Sequence, residues 1–340
     1  MERVKMKKPI NNKPKFTLLK WFLPLCLLIV SGCDGPGGVR IIKLGHGLDT
    51  SHPVHEAMVF LAEKVEEKSG GEMIVQVYPN QQLGTERELM ELLQIGSVGM
   101  TKVSTAVVES FAPKLRVLSQ PYIFRDDTHR QNVLSGPIGK SLLDEGEQYW
   151  FKGLCFYDAG KRSFYTKDKP INHPSDLAGM KIRTMESPTA IQMVRSFGGS
   201  PTPVSWGELY TALQQGIVDG AENNPPSLVT SRHYEVCKYY TINEHTAVPD
   251  MMIVSTKLWE RLSDQERQWL QEAADESAVF EYKIWAESVA ESMKILEEAG
   301  VTITYPELDG FKEAVESMYA YYRDNDPELY ALIEQIQNHE

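Results

Sequence analysis

Apolar residues recur along this chain with two periods that replace each other repeatedly. Ile41 to Leu44 alternates as a short strand, and Pro53 to Ser69 then places Ala57, Phe60, Leu61 and Val65 on one helical face before Gly70-Gly71 ends it. Met73 to Tyr78 reads as a strand, Thr85 with Glu88 as a capping box opening a helix through Ile95, and Met100 to Ser104 as a third strand. Leu154 to Ala159 is a further strand, placed as the first crossing between two lobes. The alternation is densest from Gly179 to Pro226. Met180–Thr184 is extended, and Ser187-Pro188 caps a helix that stops at Gly198-Gly199. Pro201 to Val204 is extended again, and Ser205 with Glu208 forms a capping box for a helix ending at Gly216. Ser231–Tyr240 is expected to be helical, and Met251–Ser255 to be a strand making the second crossing. Ser263 to Glu266 caps a run without Gly or Pro to Ala299, roughly 54 Å of helix at 1.5 Å per residue, long enough to brace two lobes. Val301–Tyr305 adds a last strand before two short helices.

Strand and helix in alternation predict an α/β fold with parallel sheets, which take ligands beyond the carboxyl ends of their strands. Arg183 stands near such an end, and helix starts at Ser187 and Ser205 favour an anion close by. A guanidinium there suits a carboxylate, because it donates two parallel hydrogen bonds.

At the N-terminus, a basic segment precedes the apolar run Trp21–Val30, which is too short for the ~20 residues of a membrane-spanning helix. Residues 1–32 therefore read as a signal peptide, Val30-Ser31-Gly32-Cys33 as a lipobox with Cys33 the lipid acceptor, and 33–40 as a tether. The whole chain carries 35 Lys and Arg against 47 Asp and Glu, a net charge of −12. Residues 1–32 hold seven of the basic residues and one Glu, so the remainder carries −12 − (7 − 1) = −18. With no basic tract outside the signal, nucleic acid is an unsuitable partner. Cys155 and Cys237 remain after Cys26 and Cys33 are assigned, either as a bridge or as two buried thiols. His52, His55 and Glu56 invite a metal reading, but Pro53 starts the helix and leaves His52 at its cap, with no matching cluster elsewhere. No cofactor motif is present, nor a GxSxG or HExxH that would indicate a hydrolase.

The run KIR followed by PTPVSWGELYTALQQGIVDGAENNP resembles the solute-binding proteins of tripartite ATP-independent periplasmic (TRAP) transporters, and the resemblance extends from about Ile41 to Tyr330. It implies a two-lobed periplasmic-binding-protein-like fold with hinge strands and a long bracing helix. The lobes would be 41–160 plus 249–288 and 161–248 plus 289–340. By the same resemblance Arg183 grips a ligand carboxylate, Arg162 of the AGKRSFY stretch approaches it from a second direction, and Asn223 of the DGxEN turn completes the grip. Trp206 lies against the ligand, and Glu86, Lys102 and Ser104 face the cleft, with His52 a further candidate.

Glu186, three residues after Arg183, stands where some relatives have an amide, and with Glu86 it is expected to accept from ligand hydroxyls. Two carboxylates beside the ligand disfavour a C4-dicarboxylate and favour a sugar acid. AENNPPSLVTSRHYEVCKYY further resembles the hexuronate branch, which implies D-glucuronate or D-galacturonate. A C4-dicarboxylate, a sialic-acid-type ligand, or a sensor role on the same fold is the alternative. The implied protein is extracytoplasmic, lipid-anchored, partnered by small and large membrane subunits, and not an enzyme.

Overall fold

The computed structural model describes residues 38–340. The signal, Cys33 and most of the tether lie outside the described residues. From Val39 to Glu340 the chain forms one compact unit built on two sheets.

The first sheet begins with β1 (Arg40–Gly45), α1 (Pro53–Ser69), β2 (Met73–Tyr78), α2 (Glu86–Gln94) and β3 (Met100–Ser104). Each helix starts where local chemistry predicts. The Thr85–Glu88 capping box is formed in both directions, and Pro53 sits in the first turn of α1 behind His52, whose ring accepts from the Val54 N–H. After α3 (Thr105–Val108), a 3₁₀ turn over Pro113–Ser119, α4 (Asp127–Ser135) and α5 (Pro137–Asp144), the chain enters β4 (Phe151–Tyr157).

It then crosses over residues 158–161 to the second sheet. That sheet comprises β5 (Arg162–Thr166), β6 (Lys181–Thr184), α6 (Pro188–Ser196), β7 (Ser200–Pro203), α7 (Trp206–Gln214), β8 (Gly220–Asn223), α8 (Pro225–Thr230) and β9 (Tyr239–Thr246). Residues 247–249 return the chain to β10 (Asp250–Ser255) in the first sheet. Next come α9 (Thr256–Trp259), α10 (Asp264–Glu298), β11 (Thr302–Thr304), α11 (Asp309–Asn325) and α12 (Pro327–Gln337).

Strand order is β2-β1-β3-β10-β4 in one sheet and β11-β9-β5-β8-β6-β7 in the other. Within them β1 to β3 are parallel, as are β6, β7 and β8, whereas β10 and β5 run antiparallel to their neighbours. This mixture positions the site. The carboxyl ends of the parallel strands carry Ser104, Arg183 and Asn223, and an antiparallel strand brings its first residues to that same edge. Asp250 thus pairs with Ser104, and Arg162 lies next to the Ser163–Asn223 pair.

Helix α10 buries Leu270, Ala273, Ala274 and Trp285 in the cluster under the first sheet, and Leu296 in a cluster of the second, so one 35-residue helix spans both. Helix α12, grouped with the second lobe from sequence, buries Leu329, Ile333 and Ile336 among Leu115, Val133 and Phe151 of the first.

Three local expectations need correction. Ser231–Tyr240 is not a helix: only the short turn His233–Glu235 forms before β9, because Tyr239 onward is drawn into the sheet beside β5 and β11. Ser205 does not cap the backbone; its hydroxyl donates to Glu208 Oε2 at 2.6 Å instead. The final helices are 17 and 11 residues, longer than the short pieces anticipated. Cys155 and Cys237 are separate buried thiols in different clusters.

Candidate ligand-binding site

A cavity open to solvent lies at the joint edge of the two sheets. From the second sheet Arg162, Arg183, Asn223 and Trp206 line it; from the first come Glu86, Lys102, Ser104 and His52. Glu186 does not join them. It is exposed and lines a smaller neighbouring hollow, because Met185 turns inward at that position and packs into the core.

Arg183 is almost fully buried, at 3 % exposure. Its Nε donates to the Val204 carbonyl at 2.9 Å, its guanidinium stacks 5.7 Å from the Trp206 ring, and its Nη1 is buried without a partner among the described residues. Burial lowers its pKa, with Arg162 adding to the repulsion. A buried cation with unspent donors is costly unless something anionic reaches it. Trp206 is steadied from behind by His233, 5.1 Å between ring centroids, and His233 Nδ1 is in turn 2.9 Å from the Tyr165 hydroxyl.

Arg162 is differently placed. Lys161 turns outward to Glu244 at 2.8 Å, while Arg162 turns inward and meets Glu222. Its Nε donates to Glu222 Oε2 at 2.5 Å, Nη2 to the Glu222 carbonyl and to Oε1, and Nη1 to Asn223 Oδ1 at 2.7 Å. Of five guanidinium N–H groups, that leaves one. Burial alone would raise the Glu222 pKa, but the Arg162 charge, the His245 ring 3.5 Å away and the Arg162 hydrogen bonds hold it down at about 2. Arg162 is thus largely neutralised within the protein. Asn223, accepting from Arg162 and from the Asn224 N–H with its oxygen, has its amide NH₂ left to donate.

On the facing wall Lys102 Nζ lies 2.9 Å from Glu86 Oε1 and 3.1 Å from Asp250 Oδ2. Burial would lower the Lys102 pKa, yet the Asp250 and Glu86 charges outweigh it and the ammonium titrates above its ordinary range. The Ser104 N–H also points to Glu86, at 3.4 Å. His52 joins the two walls: its Nδ1 accepts from Val54, so the hydrogen is on Nε2, which donates to Ser227 Oγ at 3.2 Å. Burial, reinforced by Lys102, lowers the His52 pKa to about 3 and keeps the ring neutral.

Sequence reasoning did not name Asp250, Glu222, Asn224, Ser227 or Trp285. Glu222 and Asn224 flank Asn223 in the DGAENN run; Asn224 caps α8 through Ser227 and donates to the Ala159 carbonyl at 2.9 Å. Trp285 follows from nothing local. It reaches the cavity from the middle of α10 and packs under the first crossing, where Gly160 at φ +57 leaves only 3.0 Å to Trp285 for any added Cβ. One sequence argument is corrected: the free N-terminus of α6 is already occupied. The Glu109 carboxylate accepts from Ser187 Oγ at 2.6 Å and from the Thr189 N–H at 2.9 Å, so that end holds a protein anion.

The cavity therefore offers hydrogen-bond donors around one uncompensated arginine on one wall and carboxylate acceptors on the other. Comparison with known proteins agrees with such a function. The family model described as bacterial extracellular solute-binding protein, family 7, matches residues 44–325. An uncharacterised protein of Salmonella typhimurium is 40% identical over 303 residues, covering 88% of this chain and 92% of its own length. The crystal structure of a TRAP periplasmic solute-binding protein from Anaerococcus prevotii, with bound α/β-D-glucuronate, superposes with a TM-score of 0.86 at 36% identity, covering 88% of this chain and 98% of its own. A counterpart from a Bradyrhizobium species, in complex with α/β-D-galacturonate, gives a TM-score of 0.84 at 37% identity over 88% and 100%. The chain belongs to the family-7 extracellular solute-binding proteins, the ligand-capturing subunits of TRAP transporters.

Proposed function

We propose that this protein captures a hexuronate, D-glucuronate or D-galacturonate, and presents it to the small and large membrane subunits of a TRAP transporter. The observation that carries this reading is Arg183, buried and cationic, with Nη1 unpartnered among the described residues. A ligand carboxylate supplies the missing charge and accepts from the Arg183 fork, the Asn223 amide and the remaining Arg162 N–H. Trp206 packs on the carbon skeleton. Two solved relatives with hexuronates in their complexes support the ligand class.

Closure follows from differential affinity. The carboxylate grip belongs to the second sheet and the Lys102 wall to the first, so the full contact set exists only when both halves surround the ligand. The halves are assigned as 41–160 plus 249–288 and 161–248 plus 289–325, with α12 moving alongside the first because its apolar face is buried there. Binding proceeds without turnover. Cys33 carries the lipid that holds the protein at the outer face of the cell membrane, in the periplasm if the host has an outer membrane.

A thermal-shift screen of the protein lacking residues 1–36 tests the reading. Hexuronates, aldonates, C4-dicarboxylates, sialic acid and 2-oxo acids are the probes. A ligand at a hundredfold excess over Kd raises stability by about 2.7 kcal/mol, so hexuronates are expected to stand out. A shift with succinate or malate and none with either uronate contradicts it. Mass spectrometry of the incubated uronate is expected to find it unchanged, and lipid incorporation is expected to vanish in Cys33→Ser.

A further inference from the structure

Lys102, Glu86 and Asp250 form a wall of two carboxylates to one ammonium, a formal net charge of −1; burial and the Glu86 charge raise the Asp250 pKa against the pull of Lys102, and each carboxylate spends only one oxygen on the ammonium. Glu86 Oε2 and Asp250 Oδ1 have no protein hydrogen-bond partner among the described residues, and both side chains line the cavity. Lys102 keeps one N–H after serving both. The second sheet carries the complementary balance, with Arg162 cancelled by Glu222 and Arg183 left at +1. Summed over these six groups, the cavity is neutral when empty and accepts one negative charge at Arg183.

The composition of this wall decides what the rest of a ligand must be. Its two open carboxylate oxygens accept hydroxyl hydrogens, and its remaining ammonium hydrogen donates to a hydroxyl or ring oxygen. A second carboxylate at this wall would meet two like charges, with the Lys102 ammonium already shared between them and Arg162 and Arg183 on the opposite wall. Asp250 makes the difference: with Glu86 alone, Lys102 would leave the wall neutral. Asp250 is also the more buried of the two carboxylates, its side chain 9 % exposed against 18 % for Glu86, and so the less screened by water.

Resting on the hexuronate reading above, we infer that Asp250 is the specificity-determining residue of this site. Together with Glu86 it reads the hydroxyls of a monocarboxylate, and its charge excludes dicarboxylates. The role differs from that of Arg183, which any carboxylate ligand requires, because Asp250 alters the choice among acids.

Isothermal titration of the wild-type protein and Asp250→Asn with D-glucuronate, D-galacturonate and succinate tests this. The asparagine keeps the shape and one acceptor oxygen while removing the charge. The wild type is expected to prefer the better uronate over succinate by at least about a hundredfold. In Asp250→Asn, uronate affinity is expected to fall about tenfold or more, in line with loss of a charge-assisted hydrogen bond, while succinate affinity rises. Glu86→Gln provides a second variant should the first be poorly folded by circular dichroism, with the same direction and a smaller change. A uronate-to-succinate ratio unchanged in the folded variants overturns the inference and leaves the uronate reading standing. Wild-type protein that binds succinate as tightly as a uronate overturns the exclusion itself, and wild-type protein that binds neither overturns both.

Discussion

Replacing Arg183 by methionine separates ligand binding from folding more sharply than any other change in the cavity. The residue is 3 % exposed, spends Nε on Val204 O and leaves Nη1 without a partner among the described residues. In the ligand-free protein the loss is therefore one hydrogen bond, worth about 0.5–1.5 kcal/mol, and the stacking on Trp206, worth about 0.5–2 kcal/mol. Against this, removing a desolvated and unpaired charge is favourable by a comparable amount, since apolar replacements of buried ionic groups are often neutral or stabilising by about 1–4 kcal/mol. The expected change in ligand-free stability is within about 1 kcal/mol of zero. The complex behaves otherwise: removing one partner of a buried, hydrogen-bonded charge pair costs about 2–5 kcal/mol, roughly 30-fold to several-thousandfold in Kd. Arg183→Lys restores the charge without the fork and is expected to recover only part of the loss. Urea denaturation gives the first quantity and isothermal titration with D-glucuronate the second. The reasoning is refuted if ligand-free Arg183→Met is destabilised by 3 kcal/mol or more, or if its uronate affinity stays within about threefold of wild type.

Glu222→Gln should behave in the opposite way. It strips the counter-charge from Arg162, both partners being nearly fully buried, and is expected to cost about 3–5 kcal/mol in a urea melt even without ligand. Acid should destabilise the protein from mildly acidic pH. Burial lowers the pKa values of His46 to about 2, His52 to about 3 and His233 to about 3, so below 6.5 the unfolded chain binds protons that the native state does not. Stability then falls with falling pH by at most about 1.4 kcal/mol per unit for each ring. Glu222 adds a further loss only as the pH drops from 4.5 towards 2. The buried carboxyls of Glu109, Asp250 and Glu281, whose pKa values burial raises, oppose this slope, so the rings are checked directly: NMR titration from pH 7.5 to 4.5 is expected to leave His46, His52 and His233 neutral, and protonation of any of them near pH 6.5 would contradict their burial. Cys155 and Cys237 are buried, and burial pushes the Cys237 thiol up to about 12 and that of Cys155 well above its ordinary value. Both are expected to be inert to Ellman's reagent in the native protein and to react together on unfolding; a rapid native reaction would argue against their packing.

What could be read from the sequence was mostly what short-range chemistry decides. The Thr85–Glu88 and Ser263–Glu266 boxes and the Ser187-Pro188 helix start are present because each is completed within three residues. Arg183 was legible too, since it stands near the end of a parallel strand whose edge takes ligands by topology, whereas Asn223 was named only through the family resemblance of the DGxEN turn. Asp250 was not legible. It gains its place only because β10 runs antiparallel beside β3, a pairing across some 150 residues that no local pattern announces. Glu186 failed for a related reason: beyond the end of β6, the inward direction falls to Met185, which the core clustered around Val248 and Met251 takes up. Arg162, named by resemblance, does line the cavity, but its neutralisation by Glu222 was not legible, because Glu222 arrives from the antiparallel neighbour β8. The start of β9 at Tyr239 and Tyr240 was lost to a helical expectation over residues 231–240 because pairing between β11 and β5 overrides local period.

The most direct test of the account is a crystal structure of the protein grown with D-glucuronate. The account predicts one sugar acid in the cavity, its carboxylate within hydrogen-bonding distance of Arg183 Nη1 and the Asn223 amide, and its hydroxyls on Glu86 and Asp250. A carboxylate seated instead on Lys102, or a ligand that leaves the Arg183 guanidinium unpartnered, would contradict it.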